Sequence, residues 1–186
     1  MDLDAVRPRL HGKHSATRVC APEVGELSDR PARIVSAADV DPTVRDGETV
    51  AHTVRDLGRA AGSLKTGIRL FDVPPGKLLN PPHVHSAEEE IFVVLDGMGT
   101  VELWPHLRFG GEHETHPVRK GSVVARPAGR GRAHALRAGE SGAQVLAYGT
   151  RDPRDVTYYP RSGKVNIRGI GLIGRLDAVD YWDGED

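Results

Sequence analysis

Cysteine is nearly missing from this chain. Cys20 stands alone among 186 residues, so no disulfide can close within it. With no second thiol or histidine pattern nearby, Cys20 reads as a bystander rather than a reactive group. No stretch of about 18 apolar residues is present to span a bilayer. The amino terminus has no apolar run of secretory type, and a cytoplasmic location is the default expectation. Neither charge sign dominates. The formal net charge is -1, which leaves no electrostatic footprint for nucleic acid or an anionic membrane. A glycine-rich nucleotide fingerprint ahead of a helix is lacking. Tyr159 and Lys164 lie five apart, which rules out a Tyr-x-x-x-Lys pair.

What the chain does have is glycine and proline, 22 and 13 residues, a balance that suits turn-rich β structure better than helices. Its length fits one domain that buries roughly 70% of its unfolded surface. The densest chemistry lies between Gly76 and Gly97. His83 and His85 stand two apart, so on an extended strand both imidazoles face one side. Glu90 follows a turn-like Ser86-Ala87 and opens the apolar run Ile91 to Leu95. A strand, a turn and a returning strand would gather these three ligands. Imidazole nitrogen with carboxylate oxygen suits divalent Fe, Mn, Ni or Zn. Of the three consecutive acids, Glu90 shares a strand face with Phe92 and Val94. Glu89 is the fallback ligand, and Glu88 reads as a solvated turn residue.

The spacing Gly76, six residues, His83-x-His85, four residues, Glu90, six residues, Gly97 resembles the first motif of the cupins. Gly121, five residues, Pro127-Ala128-Gly129, four residues and His134 resemble the second. Each of the two loops before a histidine is slightly longer than is usual in that family. The resemblance implies an all-β double-stranded β-helix, a jelly-roll-like barrel of the RmlC-like kind. It also implies one divalent metal ion held in the barrel mouth by His83, His85, Glu90 and His134. Thr150 to Pro153, Tyr158 to Lys164 and Asp180 to Glu185 resemble a largely uncharacterised bacterial group of single-domain cupins. Some members of that group carry a sugar-phosphate isomerase-like label by analogy.

In chain order, residues 1–32 read as an arm outside the domain, and its His11 and His14 as exposed rather than metal-bound. Residues 33–186 read as the cupin domain, with a barrel core of about 62–150 and an extension over 151–186. Residues 33–42 read as a short strand and turn, and Gly58 to Ser63 as a loop. Pro105 to Pro117 reads as a long connection able to act as a lid. Val123 to Ala125 reads as a short buried strand. Arg69, Phe71, Gln144 and Tyr148 are candidates for lining a substrate pocket, Arg69 as an anion-binding group.

Three imidazoles and one carboxylate leave a six-coordinate ion two free positions. With iron this suits dioxygenase chemistry, and with Zn, Mn or Ni it suits isomerases, lyases and decarboxylases. On these grounds dioxygenase-type chemistry on a small polar molecule is placed first. Isomerase or lyase chemistry on a sugar or sugar phosphate is second, and a non-catalytic small-ligand-binding module third. Cupin barrels commonly pair, so the resemblance also implies a homodimer. Light scattering checks this, with twice the chain mass expected.

Overall fold

The computed structural model describes residues 34–176 and 179–185. The expected arm 1–32, with His11, His14 and Cys20, lies outside them. Eleven strands run through the described residues: β1 (Thr43–Arg45), β2 (His52–Asp56), β3 (Thr66–Val73), β4 (Val84–His85), β5 (Glu90–His106), β6 (Glu114–Arg119), β7 (Val123–Arg126), β8 (Arg132–Thr150), β9 (Val156–Tyr159), β10 (Lys164–Ile167) and β11 (Leu172–Arg175). They form two antiparallel sheets. The larger has the order β1-β2-β3-β8-β5-β6, with β7 also paired to β5; the smaller has the order β11-β10-β9-β4.

Two long strands carry the architecture. β5 and β8 pair along almost their whole length, with register shifts between Val94 and Asp96, Gly97 and Gly99, and Leu103 and His106. Such shifts bend a strand, which lets a pair this long curve around a core instead of lying flat. The second shift demands glycine. A Cβ on Gly97, whose φ is +76°, would strike the Gly142 carbonyl, and one on Gly99 would strike that of Arg137. Inward residues then alternate as a pleat requires. Phe92 and Val94 on β5, Leu136 and Ala138 on β8, and Phe71 and Val73 on β3 form one buried cluster with Leu79, Val101 and Val145.

Several local expectations give way to turn chemistry and pairing. Residues 34–42 contain a 3-10 turn at Ala37–Asp39 and no strand. The chain enters that turn through an Asp39 N–H to Ser36 carbonyl bond of 3.0 Å. A helical turn, α1 (Leu57–Ala60), occupies the start of the expected 58–63 loop. The Asp56 carboxylate caps it, accepting from the Arg59 N–H at 3.0 Å. Val123 is 65% exposed, so β7 is not the buried strand expected: it pairs only with β5 and its outer face meets solvent. The long connection contracts to residues 107–113 because β5 and β6 extend further than their composition signals. No described helix is long and apolar enough to cross a membrane.

The segment from Val156 to Arg175 completes a sheet. Three of the four strands in the smaller sheet, β9, β10 and β11, come from it, and the fourth is β4, which carries His85.

The close approach at Gly99 sets a stability test. Gly99→Ala is expected to lower the unfolding free energy by about 1–3 kcal/mol. Gly174→Ala, with no heavy atom within 4 Å of its Cβ position, should change it by less than about 0.5 kcal/mol. Urea denaturation of both variants makes the comparison.

Candidate metal centre

The inward stripes of β5 and β8 do not stay apolar to their ends. Stepping back by two from Val94 and Phe92 reaches Glu90, and from Ala138 and Leu136 it reaches His134, so each stripe ends in a metal-ligand side chain on the core-facing side. His83 sits opposite His134 in a two-way backbone bridge, with N–H to carbonyl distances of 3.1 and 2.9 Å. His85 follows on β4. Pro81 and Pro82 precede the histidine pair and hold that approach extended.

All three imidazoles aim Nε2 at one carboxylate oxygen. Glu90 Oε2 lies 3.0 Å from His134 Nε2, 3.1 Å from His83 Nε2 and 3.5 Å from His85 Nε2. The far side of two rings fixes their tautomers. His83 Nδ1 donates to the Pro81 carbonyl at 2.8 Å, and His85 Nδ1 donates to Asp155 Oδ2 at 2.7 Å. Each Nε2 therefore presents a lone pair when its ring is neutral. His85 Nε2 is buried with no hydrogen-bond partner. Lone pairs converging on a carboxylate repel unless protons or a cation lie between them. The donor set and the unpartnered nitrogen therefore fit a divalent ion held by His83, His85, Glu90 and His134.

The charges respond to this crowding. Burial disfavours ionised Glu90, but hydrogen bonds from His134 and His83, with His85 close by, outweigh it and hold its carboxyl well below the usual range. Burial also opposes charge on His85, yet Glu90 and Asp155 more than offset it and raise that imidazole to about 9. His134 goes the other way: burial dominates and lowers it to about 4, despite its bond to Glu90. A cation would thus replace a proton on His85 and find His134 already neutral.

Asp155 is the residue that sequence reasoning missed. It is fully buried, and its Oδ1 accepts from the backbone N–H groups of Ala87 and Glu88 at 3.0 and 3.2 Å. Thr157 Oγ1 donates to its Oδ2 at 2.9 Å. The His85 ring is thereby clamped from behind, the carboxylate–histidine arrangement common around bound metals. Glu88, expected to be solvated, is instead 5% exposed. It accepts from the Asp152 N–H at 2.8 Å and from Arg168 at 2.7 Å. Burial raises its carboxyl, with Arg168 opposing. Glu89 is exposed, which leaves Glu90 as the carboxylate facing the histidines.

The donors open into a cavity of about 230 Å³ with strongly polar walls. Arg69, Arg151 and Arg168 bring guanidinium groups, Asn80 and Asn166 amides, and Tyr148 and Tyr159 phenols. Of the expected pocket residues, Phe71 is a buried part of the wall, and Tyr148 lines it with 40% of its surface exposed. Arg69 also lines it, paired with Asp56 at 3.2 Å. Gln144 is elsewhere: its amide donates to Asp72 at 2.8 Å, and it does not line the cavity. Nor does any residue of the 105–117 connection, so that segment is no lid over the described pocket. Arg132 ties it down through bonds to the Trp104 and Glu112 carbonyls and the Glu114 carboxylate.

Comparison with known proteins agrees with the fold. Residues 69–147 match the family model of the cupin domain. The chain carries a cupin domain. Among solved structures, this cupin is similar to a protein of Acidithiobacillus ferrooxidans provisionally named a sugar phosphate isomerase. The two share 24% identity over 79% of this chain and 96% of the other, with a TM-score of 0.66. A protein of Silicibacter pomeroyi, described as a sugar phosphate isomerase of the cupin superfamily, is 22% identical over 78% of this chain and 94% of its own, at a TM-score of 0.63. A variant of Bacillus subtilis oxalate decarboxylase is 20% identical over 67% of this chain and 31% of its own, at 0.50. At these identities the likeness establishes the fold alone. No curated protein matches the chain.

Two variants test the site. His83→Ala is expected to lose most bound metal while circular dichroism stays β-rich. Asp155→Asn keeps all four donors but weakens the clamp on His85, and metal affinity should fall by about 10–100-fold. Metal-buffered competition titrations read both effects.

Proposed function

We propose that this cupin is a metal-dependent enzyme acting on a small, polar, anionic molecule, by isomerase- or lyase-type proton transfer on a sugar acid or sugar phosphate. Convergence of three histidine Nε2 atoms on the half-buried Glu90 carboxylate carries the metal half of the reading. A divalent ion bound there supplies Lewis acidity for a carbonyl or hydroxyl group. The walls carry the substrate half. Arg151 approaches its partners only at 3.5 Å, to the Ser63 carbonyl and to Asp56, which leaves most of its N–H donors free for a carboxylate or phosphate. Its guanidinium lies over Gly67, where any side chain would crowd it. The names of the two sugar phosphate isomerase relatives fit the same substrate class.

Proton transfer needs a group beside the metal ligands, and Tyr159 is the candidate. Its ring stacks on His83 at 6.0 Å between centroids, and burial raises its hydroxyl so that it stays protonated and able to donate. Glu88, tied to Arg168 and Asp152, is held as structure and not free to exchange protons with a substrate. Polar lining of this kind moves proton-transfer chemistry ahead of the dioxygenase chemistry placed first from the motifs.

The test is turnover of phosphorylated and carboxylated sugars by metal-loaded protein, with and without oxygen. Undiminished turnover under strict anaerobiosis is the expected result. An absolute oxygen requirement would return dioxygenase chemistry to first place, and saturable binding without turnover would favour the small-ligand-binding module. Arg151→Gln should raise KM about tenfold with kcat little changed, as expected for one lost charge-assisted contact.

A further inference from the structure

A second cavity lies on the other side of the wall that holds His83. Its volume is about 300 Å³, at the small end of the range of about 300–1,000 Å³ for ligand pockets. Three separate parts of the chain build it: the β1–β2 connection from Arg45 to Val50, the Pro81-Pro82 step, and the β9–β10 hairpin through Tyr159, Arg161, Ser162 and Lys164. Pro81 and Tyr159 line both cavities, so the metal pocket and this one share a partition. Apart from Tyr159, which faces both cavities, the proposed reaction uses no residue of the second one.

Its chemistry is one-sided. Arg45, Arg161 and Lys164 contribute three positive charges against the single carboxylate of Glu48. Among the described residues, none of the three cations has a carboxylate within 4.0 Å, whereas Arg55, Arg69, Arg132, Arg137 and Arg168 are all paired. Like charges gathered in a concave wall raise the local potential and attract an anion. The hydroxyls of Thr49 and Ser162 add neutral donors. The frame is held before any ligand arrives. Lys77 Nζ donates to the Glu48 carbonyl at 2.6 Å, and Lys164 lies opposite Tyr159 in the β9–β10 register, its ammonium 5.4 Å from the tyrosine ring centroid.

We propose that this cavity is a second binding site, distinct from the metal pocket, for a phosphate-class anion held by Arg45, Arg161 and Lys164. Two arginine forks and an ammonium around hydroxyl donors match a tetrahedral oxyanion. The partition gives the site a consequence. Its Pro81 carbonyl orients His83, and its Tyr159 ring stacks on His83, so an anion here reaches the metal centre through those two residues. The proposal stands whether or not the reaction assigned above is correct, because it concerns residues outside the donor set.

Calorimetric titration of inorganic phosphate into the metal-loaded full chain, at constant ionic strength, tests it. The wild type should show a saturable site that remains when substrate-pocket binding is removed by Arg151→Gln. The double variant Arg161→Gln/Lys164→Gln should weaken it by about tenfold for each lost charge, with metal content unchanged. Glu48→Gln removes the only opposing charge and should tighten binding, a gain that misfolding cannot produce. Glycerol phosphate in parallel separates the two sources: tighter binding than phosphate assigns the site to an ester, weaker binding to the free ion. Absence of saturable binding in the wild type would overturn the proposal. So would equal affinity in the double variant, or phosphate binding that vanishes with the metal while the double variant binds normally.

Discussion

Three imidazole nitrogens pressed against one half-buried carboxylate oxygen form the constraint on which the rest of the structure depends. Burying Glu90 costs free energy unless its charge is met, and the barrel meets it only with groups that are themselves buried. Two of those groups have their other nitrogen committed, His83 to a carbonyl and His85 to a carboxylate. When those rings are neutral, their lone pairs face the carboxylate rather than bonding to it. Protons can relieve the conflict at some cost in charge burial, and a divalent cation relieves it for all four donors at once. The arrangement is therefore held by the surrounding scaffold and not by its own attractions.

That scaffold begins with strand alternation. The same period of two that buries Phe92 and Val94 delivers Glu90 to the barrel mouth, and the period that buries Leu136 and Ala138 delivers His134. This part was legible in the sequence because a pleat carries its own ruler. The sequence kept Glu89 as an alternative to Glu90, and only the folded strand, which leaves Glu89 exposed, separates the two. Gln144 shows where the ruler fails. Counting by two from His134 puts position 144 inside. Register against β5 passes from Gly97–Ala143 to Gly99–Ala138, so β8 spends extra residues around Gly139 to Gly142. Inward residues beyond that irregularity are Ala143 and Val145, and Gln144 is turned to the Asp72 carboxylate instead.

Asp155 and Glu88 were illegible for a different reason. Asp155 lies 70 residues from the histidine it orients. Nothing local to it distinguishes a clamp from a turn acid between Arg154 and Val156. Its role exists only once β9 pairs with β4, with His85 opposite Thr157. Glu88 reads as solvated beside Glu89 until the residues flanking β9 and β10 fold over it and supply Arg168 and the Asp152 N–H. Contacts between distant segments, not composition, set the environment of both carboxylates.

The residues after 150 therefore do electrostatic work for the barrel. Asp155 and Glu88 are two buried carboxylates beside a metal pocket, and without compensation they would pull the His85 proton tighter and resist a cation's rearrangement of charge. Arg168 stands 2.7 Å from Glu88 and 4.0 Å from Asp155, and backbone N–H groups absorb the remainder. The same segment brings Tyr159, Asn166 and Arg168 into the cavity wall. A barrel of this kind hosts unrelated chemistries, so the donor set alone does not choose among them. Under the function proposed above, that choice falls to walls that the barrel motifs do not encode, because arginine, amide and hydroxyl groups line the cavity beside the donors.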